Sequence, residues 1–333
     1  MEVFFPAYYY SFRCLAGACP DSCCQEWAVD VDPQAAQFYR QLAGPLGDRL
    51  RQVLEDTPEG TVMTIENRRC SMWRTDGLCR IQAELGHDAL CKTCREFPRL
   101  THDYGDFTEL GLELSCPEAA RLILTSPGNL LVQAQPGGTE PEYEPEIMAL
   151  LRQSRADALA FLRRAENLPR ALAAILLYAH DVQAAIDGEE TIASSPEGCL
   201  TEVENYRGNG DISEIFAFFR TLEILTPRWK QQLPSAPAQI HWDEHMRNFA
   251  DYLLTRYWLQ AISDYDLICR VKLTVTACLL VGALEGDLFE TAQLFSKEIE
   301  NDPDNVEAIL DGAYTASALT DANLLALLTK EFL

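Results

Sequence analysis

The chain has 333 residues, 47% of them hydrophobic and 23% charged, values that allow a buried core and exclude a generically disordered protein. Its formal net charge of −24 works against binding nucleic acid or an anionic membrane, because both need a basic surface to release counterions. No apolar run approaches the roughly 18–20 residues of a membrane-spanning helix. The start, Met1-Glu2-Val3-Phe4-Phe5-Pro6, has neither a basic segment nor a cleavage site, so a soluble, cytoplasmic protein is expected.

The length suits two domains. Residues 1–125 read as the first, rich in cysteine, aromatic residues and arginine. Apolar residues Ala36, Phe38, Tyr39, Leu42, Leu46 and Leu50 share one face of a helix expected over residues 33–53. Turn-rich stretches follow at Thr57-Pro58-Glu59-Gly60 and Arg74-Thr75-Asp76-Gly77. Strand signals are weak throughout, with residues 107–114 the best candidate. A helix is expected over residues 116–125, with Pro117 in its first turn and Glu118 at the positive end of its dipole.

Residues 126–145, with several Pro, Gly and Glu, read as a linker. Residues 146–333 read as a helical domain. Helical spacing covers residues 147–165, 168–188, 212–225, 242–262 and 266–284, with two or three more helices over 288–333. Residues 187–211 read as a surface loop, and Asp302-Pro303-Asp304-Asn305 as a cap or turn. The expected fold class is therefore mainly α: a cysteine-rich, metal- or cluster-stapled N-terminal domain joined to a larger helical one.

Charge is uneven: residues 1–125 balance at −7 and residues 126–333 at −17. The plain reading is a solubilising helical surface; the sharper one is affinity for a lysine-presenting substrate.

Twelve cysteines are present, nine of them between Cys14 and Cys116. In a reducing compartment such density points to metal ligands or reactive thiols rather than disulfides. One group is Cys14, Cys19, Cys23 and Cys24; the other is Cys70, Cys79, Cys91, Cys94 and Cys116. Thiolates are soft ligands suited to zinc and to iron–sulfur clusters. Gly17 and Pro20 let the first group turn on itself, and Asp76-Gly77 marks a turn before Cys79. Cys91-Lys92-Thr93-Cys94 is the most specific spacing, shared by zinc knuckles, cluster sites and redox dithiols. A four-ligand site needs fewer than nine cysteines, so either two sites exist or some thiols are simply buried. Cys269 and Cys278 lie in apolar helical context and read as core.

These same residues carry a family resemblance. The run Tyr8-Tyr9-Tyr10-Ser11-Phe12-Arg13-Cys14, then Cys19-Pro20-Asp21-Ser22-Cys23-Cys24-Gln25-Glu26-Trp27, resembles the flagellin lysine-N-methylase family. So do Asp76-Gly77-Leu78-Cys79-Arg80-Ile81-Gln82, Leu90-Cys91-Lys92-Thr93-Cys94-Arg95-Glu96-Phe97-Pro98-Arg99 and Leu114-Ser115-Cys116-Pro117-Glu118. Asn248-Phe249-Ala250-Asp251-Tyr252 and Arg256-Tyr257-Trp258 add a weaker match. The stretch from Cys79 to Pro98 is also similar to zinc- and iron-chelating cysteine-cluster proteins. The resemblance implies S-adenosylmethionine-dependent methylation of flagellin lysines, with a cysteine-bound iron–sulfur cluster, 4Fe-4S in kind. Zinc is the alternative metal, and a non-catalytic metal-binding protein the alternative function.

Other candidates have competing readings. His241-Trp242-Asp243-Glu244-His245 fits the inverted zinc-peptidase pattern H-x-x-E-H, but an amphipathic helix is the plainer reading. Arg95, Arg99 and Arg121 could meet a cofactor carboxylate or make structural ion pairs. Asp21 and Glu26 could orient a lysine amine or support the cysteines. Tyr8–Tyr10, Phe12 and Trp27 could line a cation site or pack. No dinucleotide-type glycine loop, phosphate-binding loop or nucleophile elbow is present.

Overall fold

A computed structural model describes residues 1–189, 195–233 and 239–330. Among these the fold is mainly helical, with nine short strands at the N-terminal end. Four strands form one sheet in the order Arg99–Asp103, Phe107–Leu112, Glu2–Pro6, Leu130–Ala134. Glu2–Pro6 runs parallel to Phe107–Leu112, with Val3 opposite Thr108, and antiparallel to Leu130–Ala134, with Phe4 opposite Val132. Leu130–Ala134 thus lies inside the stretch expected to be a linker. The strand expected over 107–114 is observed as Phe107–Leu112.

The helix expected over 33–53 is two helices, Pro33–Gln41 and Gly44–Val53. Gly44 takes φ +85°, a left-handed conformation that glycine adopts without the Cβ penalty, and Pro45 then opens the second helix. Pro117–Thr125 forms as expected, with Cys116 as its N-cap. Pro145–Arg164 and Leu168–Ile186 match the next two expectations closely. The helix expected over 212–225 stops at Phe219 in a tight turn, where the Thr221 and Leu222 N–H groups donate to the Phe218 and Phe219 carbonyls. Beyond it the Leu225 and Thr226 N–H groups are taken by the Glu298 carboxylate at 2.7 and 2.8 Å. Of the expected loop over 187–211, residues 190–194 lie outside the described residues, and Leu200–Asn205 is helical.

Glu244–Tyr257 starts behind the N-cap Asp243 and tightens into a 3-10 turn at Trp258–Ser263. Ile268–Ala283 is buried nearly all round, as expected of a central helix. Leu288–Phe295 continues into a π-helical turn, Ser296–Glu300. Pro303–Thr315 and Asp321–Thr329 complete the described chain, and Asp302 caps the former by accepting from the Asp304 and Asn305 N–H groups. Some of the acidic residues work this way. Asp32, Asp211, Asp243, Asp287 and Asp302 each satisfy helix-start N–H groups that have no partner within the helix.

Two apolar cores result. The larger joins Val3, Phe5, Phe107, Leu114 and Leu122 to the helices through Leu151, Leu172, Phe249, Leu279 and Phe295. The smaller is built from Val29, Val31, Tyr39, Leu50, Met63, Met72 and Ile81, together with Cys70 and Cys91. No helix among the described residues is long and apolar enough to cross a membrane.

Candidate metal centre

The two cysteine groups meet. Cys14, Cys19, Cys23, Cys24, Cys79, Cys94 and Cys116 line one cavity of about 260 Å3. Cys70 and Cys91 belong to the small core, against which Cys24, Cys79 and Cys94 pack. Glycine allows the approach. A Cβ on Gly17 would sit 3.1 Å from the Asp76 carbonyl oxygen, and one on Gly77 would sit 3.5 Å from the Gly17 backbone. Gly77 also takes φ +80°. The Cys14–Cys19 turn and the Cys79 turn therefore touch backbone to backbone. The Cys70 N–H donates to the Cys24 carbonyl at 2.8 Å, joining the groups a second time. Cys91 and Cys116 are N-caps, so each thiol stands at the start of a helix.

The thiols feel one another. Cys23 and Cys24 share a hydrogen bond that holds Cys23 down at about 7 and pushes Cys24 far up. Cys91 and Cys94 form the same kind of pair, with Cys91 lowered to about 7 and Cys94 raised. Burial pushes Cys70 up to about 11 and Cys116 up to about 12. This is the electrostatics of crowded, desolvated sulfur, which binding of a cation relieves by taking up the thiolate charge. Among the described residues no three His, Cys, Asp or Glu side chains are drawn close enough to form a ready-made cage. In donor type and convergence the pocket suits a thiolate-ligated group.

One support for this pocket comes from the far end of the chain. Lys297, buried in the π-helical turn, donates to Asp21 at 2.9 and 3.1 Å and lies 4.9 Å from the Trp27 ring centre. Gln293 donates to Asp21 at 2.9 Å and to the Ser115 carbonyl at 2.7 Å. Asp21 lies between Cys19 and Cys23, and Ser115 precedes Cys116, so Lys297 and Gln293 hold both cysteine segments against the helical core. Sequence reading named Asp21 and Trp27 but neither of these partners. Lys297 gave no signal, since it lies within residues 288–333, read only as two or three helices.

The other candidates fall mostly into structural roles. Glu26 pairs with Arg68, and Arg121 pairs with Glu118 at 2.7 Å. Arg95 reaches the Leu90 carbonyl, while Arg99 lies over the Phe12 ring and lines the cysteine cavity. Tyr8, Tyr9 and Phe12 are buried in the larger core, and Tyr10 is exposed. His241 precedes the helix that carries His245, and His245 Nδ1 is 2.9 Å from the Leu124 carbonyl oxygen. The two histidines do not share a helix face. Cys269 and Cys278 are buried as expected.

Over 135 residues the chain is 31% identical to the flagellar biosynthetic protein FliU of Salmonella muenchen, a match covering 37% of this chain and 76% of that protein. It is likewise 31% identical over 135 residues to the lysine-N-methylases of Salmonella typhimurium and Salmonella choleraesuis, of which the match covers 32%. The matched stretch thus spans about a third of those two relatives' length. No family model and no solved structure matches the chain. With three quarters of FliU matched at this identity, and with the cysteine motifs brought to one pocket, the chain belongs to the flagellin lysine-N-methylase family that FliU and these lysine-N-methylases represent.

Proposed function

We propose that this chain methylates lysine side chains of flagellin using S-adenosylmethionine, and that its cysteine pocket holds an iron–sulfur cluster. The observation that carries the reading is the meeting of two separated cysteine groups on one cavity in a chain whose relatives are named lysine-N-methylases. The cluster ligands would come from Cys14, Cys19, Cys23, Cys24, Cys79, Cys94 and Cys116, with Cys70 and Cys91 behind them. A cluster held there supplies soft, thiolate-ligated iron. Lys297 and Gln293 fix the cysteine segments on the helical core, and burial keeps water away from Cys70 and Cys91.

The transfer itself needs a neutral amine. An ordinary lysine is protonated near neutrality, so its site must desolvate it and take up a proton. The acceptor nitrogen then attacks the methyl carbon of the sulfonium, and the carbon–sulfur bond breaks with its electrons passing to sulfur.

The test is direct. Anaerobically purified chain, given S-adenosylmethionine carrying a labelled methyl group and flagellin, is expected to place label on flagellin lysines, read by peptide mass spectrometry. Protein that keeps its metal but transfers no label overturns the reading.

A further inference from the structure

We propose that the narrow cavity beside His102 receives the substrate lysine side chain, and that the open groove next to it holds the peptide carrying that lysine. The proposal rests on the lysine-methylation reading and supplies the acceptor site that reading lacks.

The cavity lies between the sheet and the Glu244–Tyr257 helix. Along the edge strand Arg99–Asp103, Leu100 and His102 are the half-buried residues, while Arg99, Thr101 and Asp103 are exposed. Tyr8, Leu100, Leu110, Leu112 and Leu130 give the cavity apolar walls, and its volume is about 40 Å3. A single water needs about 10–15 Å3 by the same measure, so this space takes a short unbranched chain and not a nucleoside.

Polar groups gather around these walls, and most are already engaged. Glu109 accepts from Arg155 at 2.8 and 2.5 Å. Asp251 accepts from Arg163 at 2.5 and 3.0 Å. The Tyr252 hydroxyl accepts from Arg256 at 2.7 Å and donates to Glu300. Three buried atoms, His102 Nε2, Thr255 Oγ1 and Arg256 Nε, have no hydrogen-bond partner, and of these only Arg256 Nε is held in an ion pair, with Glu300 at 3.3 Å. All three residues line the cavity. Buried polar atoms without partners are rare in folded proteins, and His102 Nε2 and Thr255 Oγ1, which have neither hydrogen bond nor ion pair, call for a polar occupant. Burial, helped by Arg256, pulls His102 below the usual imidazole range, so the ring is neutral.

His102 also lines a second, open groove of about 640 Å3 with Asp103, Tyr104, Glu140, Glu142 and Tyr143. No lysine or arginine is among the described residues that line it. A groove with three carboxylates and two tyrosines suits an extended, lysine-bearing peptide. His102 lines both spaces, so a lysine reaching in from the groove would bring its amine beside Nε2. The apolar walls strip the entering ammonium of water and weaken its hold on its proton, which then passes to His102 Nε2. The freed lone pair attacks the methyl group of the sulfonium donor presented from the open side, and the carbon–sulfur bond breaks with its electrons passing to sulfur. The thioether departs through the groove, which is large enough for a nucleoside. His102 returns the proton to solvent through the groove.

The strand also relates this site to the thiols. Arg99 lines the cysteine cavity and His102 stands three residues further along, about 10 Å at strand spacing.

Two variants of the full chain test the proposal, His102→Gln and Leu100→Trp. Methyl transfer to a flagellin lysine peptide is measured alongside binding of the fluorescently labelled peptide without donor. His102→Gln is expected to lower kcat by about 100-fold with little change in KM for the peptide, in the range for loss of a general base. Leu100→Trp, which fills the cavity, is expected to weaken peptide binding by about tenfold, and replacing the peptide's lysine by norleucine should weaken wild-type binding similarly. Thermal midpoint and iron content should match wild type in both variants. Wild-type chain that transfers no methyl group overturns the methylation reading and the role of His102 with it. Wild-type chain that transfers methyl while both variants equal it overturns the acceptor site alone.

Discussion

At Lys297 an ammonium is drawn out of water and held between the Asp21 carboxylate and the Trp27 ring. Burying a lysine is unfavourable unless it is paired, and here the partner sits inside the first cysteine group. Removing the cation leaves Asp21 with only Gln293. Lys297→Met is therefore expected to lower stability by about 2 kcal/mol, less than for a fully buried pair because Asp21 is partly solvated. It should also lower the iron held per chain, and Lys297→Arg should restore part of both. Denaturant midpoints and iron analysis check this. A variant with wild-type stability and iron content would show that the tie is incidental. Asp21, Trp27 and the nine clustered cysteines were all legible in the sequence, because their residue types and close spacing carry chemistry. Lys297 was not. Its neighbours follow an ordinary helical pattern, and the π-turn, which holds an extra residue, carries the polar face inward. His102 was missed for a related reason, since a lone histidine on a weak strand gives no pattern.

Helices were far more legible than strands. Sixteen or more residues of helical spacing mark Pro145–Arg164, Leu168–Ile186 and Ile268–Ala283, and capping residues fix where several helices start. The strands are two to six residues long, and Glu2–Pro6 finds both its partners, Phe107–Leu112 and Leu130–Ala134, more than a hundred positions away. Such short elements depend on partners that local sequence does not reveal. The Gly17 and Gly77 turns were visible as turns, but their mutual contact was not. That contact makes a prediction at this scale. Gly77→Val places a β-branched residue at φ +80° against the Gly17 backbone. The substitution should cost about 1–2 kcal/mol in backbone strain and push the two cysteine turns apart. Iron content should fall, measured against Gly60→Val, which also lies at positive φ but has open space around it and stands apart from the cysteines. Equal iron content in the two variants would contradict the idea that backbone contact brings the groups together.

Across the whole molecule, the large core binds the sheet to the helices, while the segment carrying most of the cysteines keeps a smaller core of its own. That core is built from short elements that bury little surface apiece, and a bound metal adds its binding free energy to such a unit. The acidic excess is spread between helix caps and surface, including the groove beside His102. Cysteines held by both cores, and clamped from the C-terminal helices, make the pocket a junction of the entire chain. The measurement that bears most directly on this account is iron, zinc and acid-labile sulfide analysis of anaerobically purified chain, with its visible absorption. It is repeated on Cys79→Ser/Cys94→Ser protein. The account predicts iron and sulfide in near-equal amounts and broad visible absorption in the wild type, both lost in the double variant. Colourless wild-type protein without iron, or a double variant that keeps its iron, would contradict it.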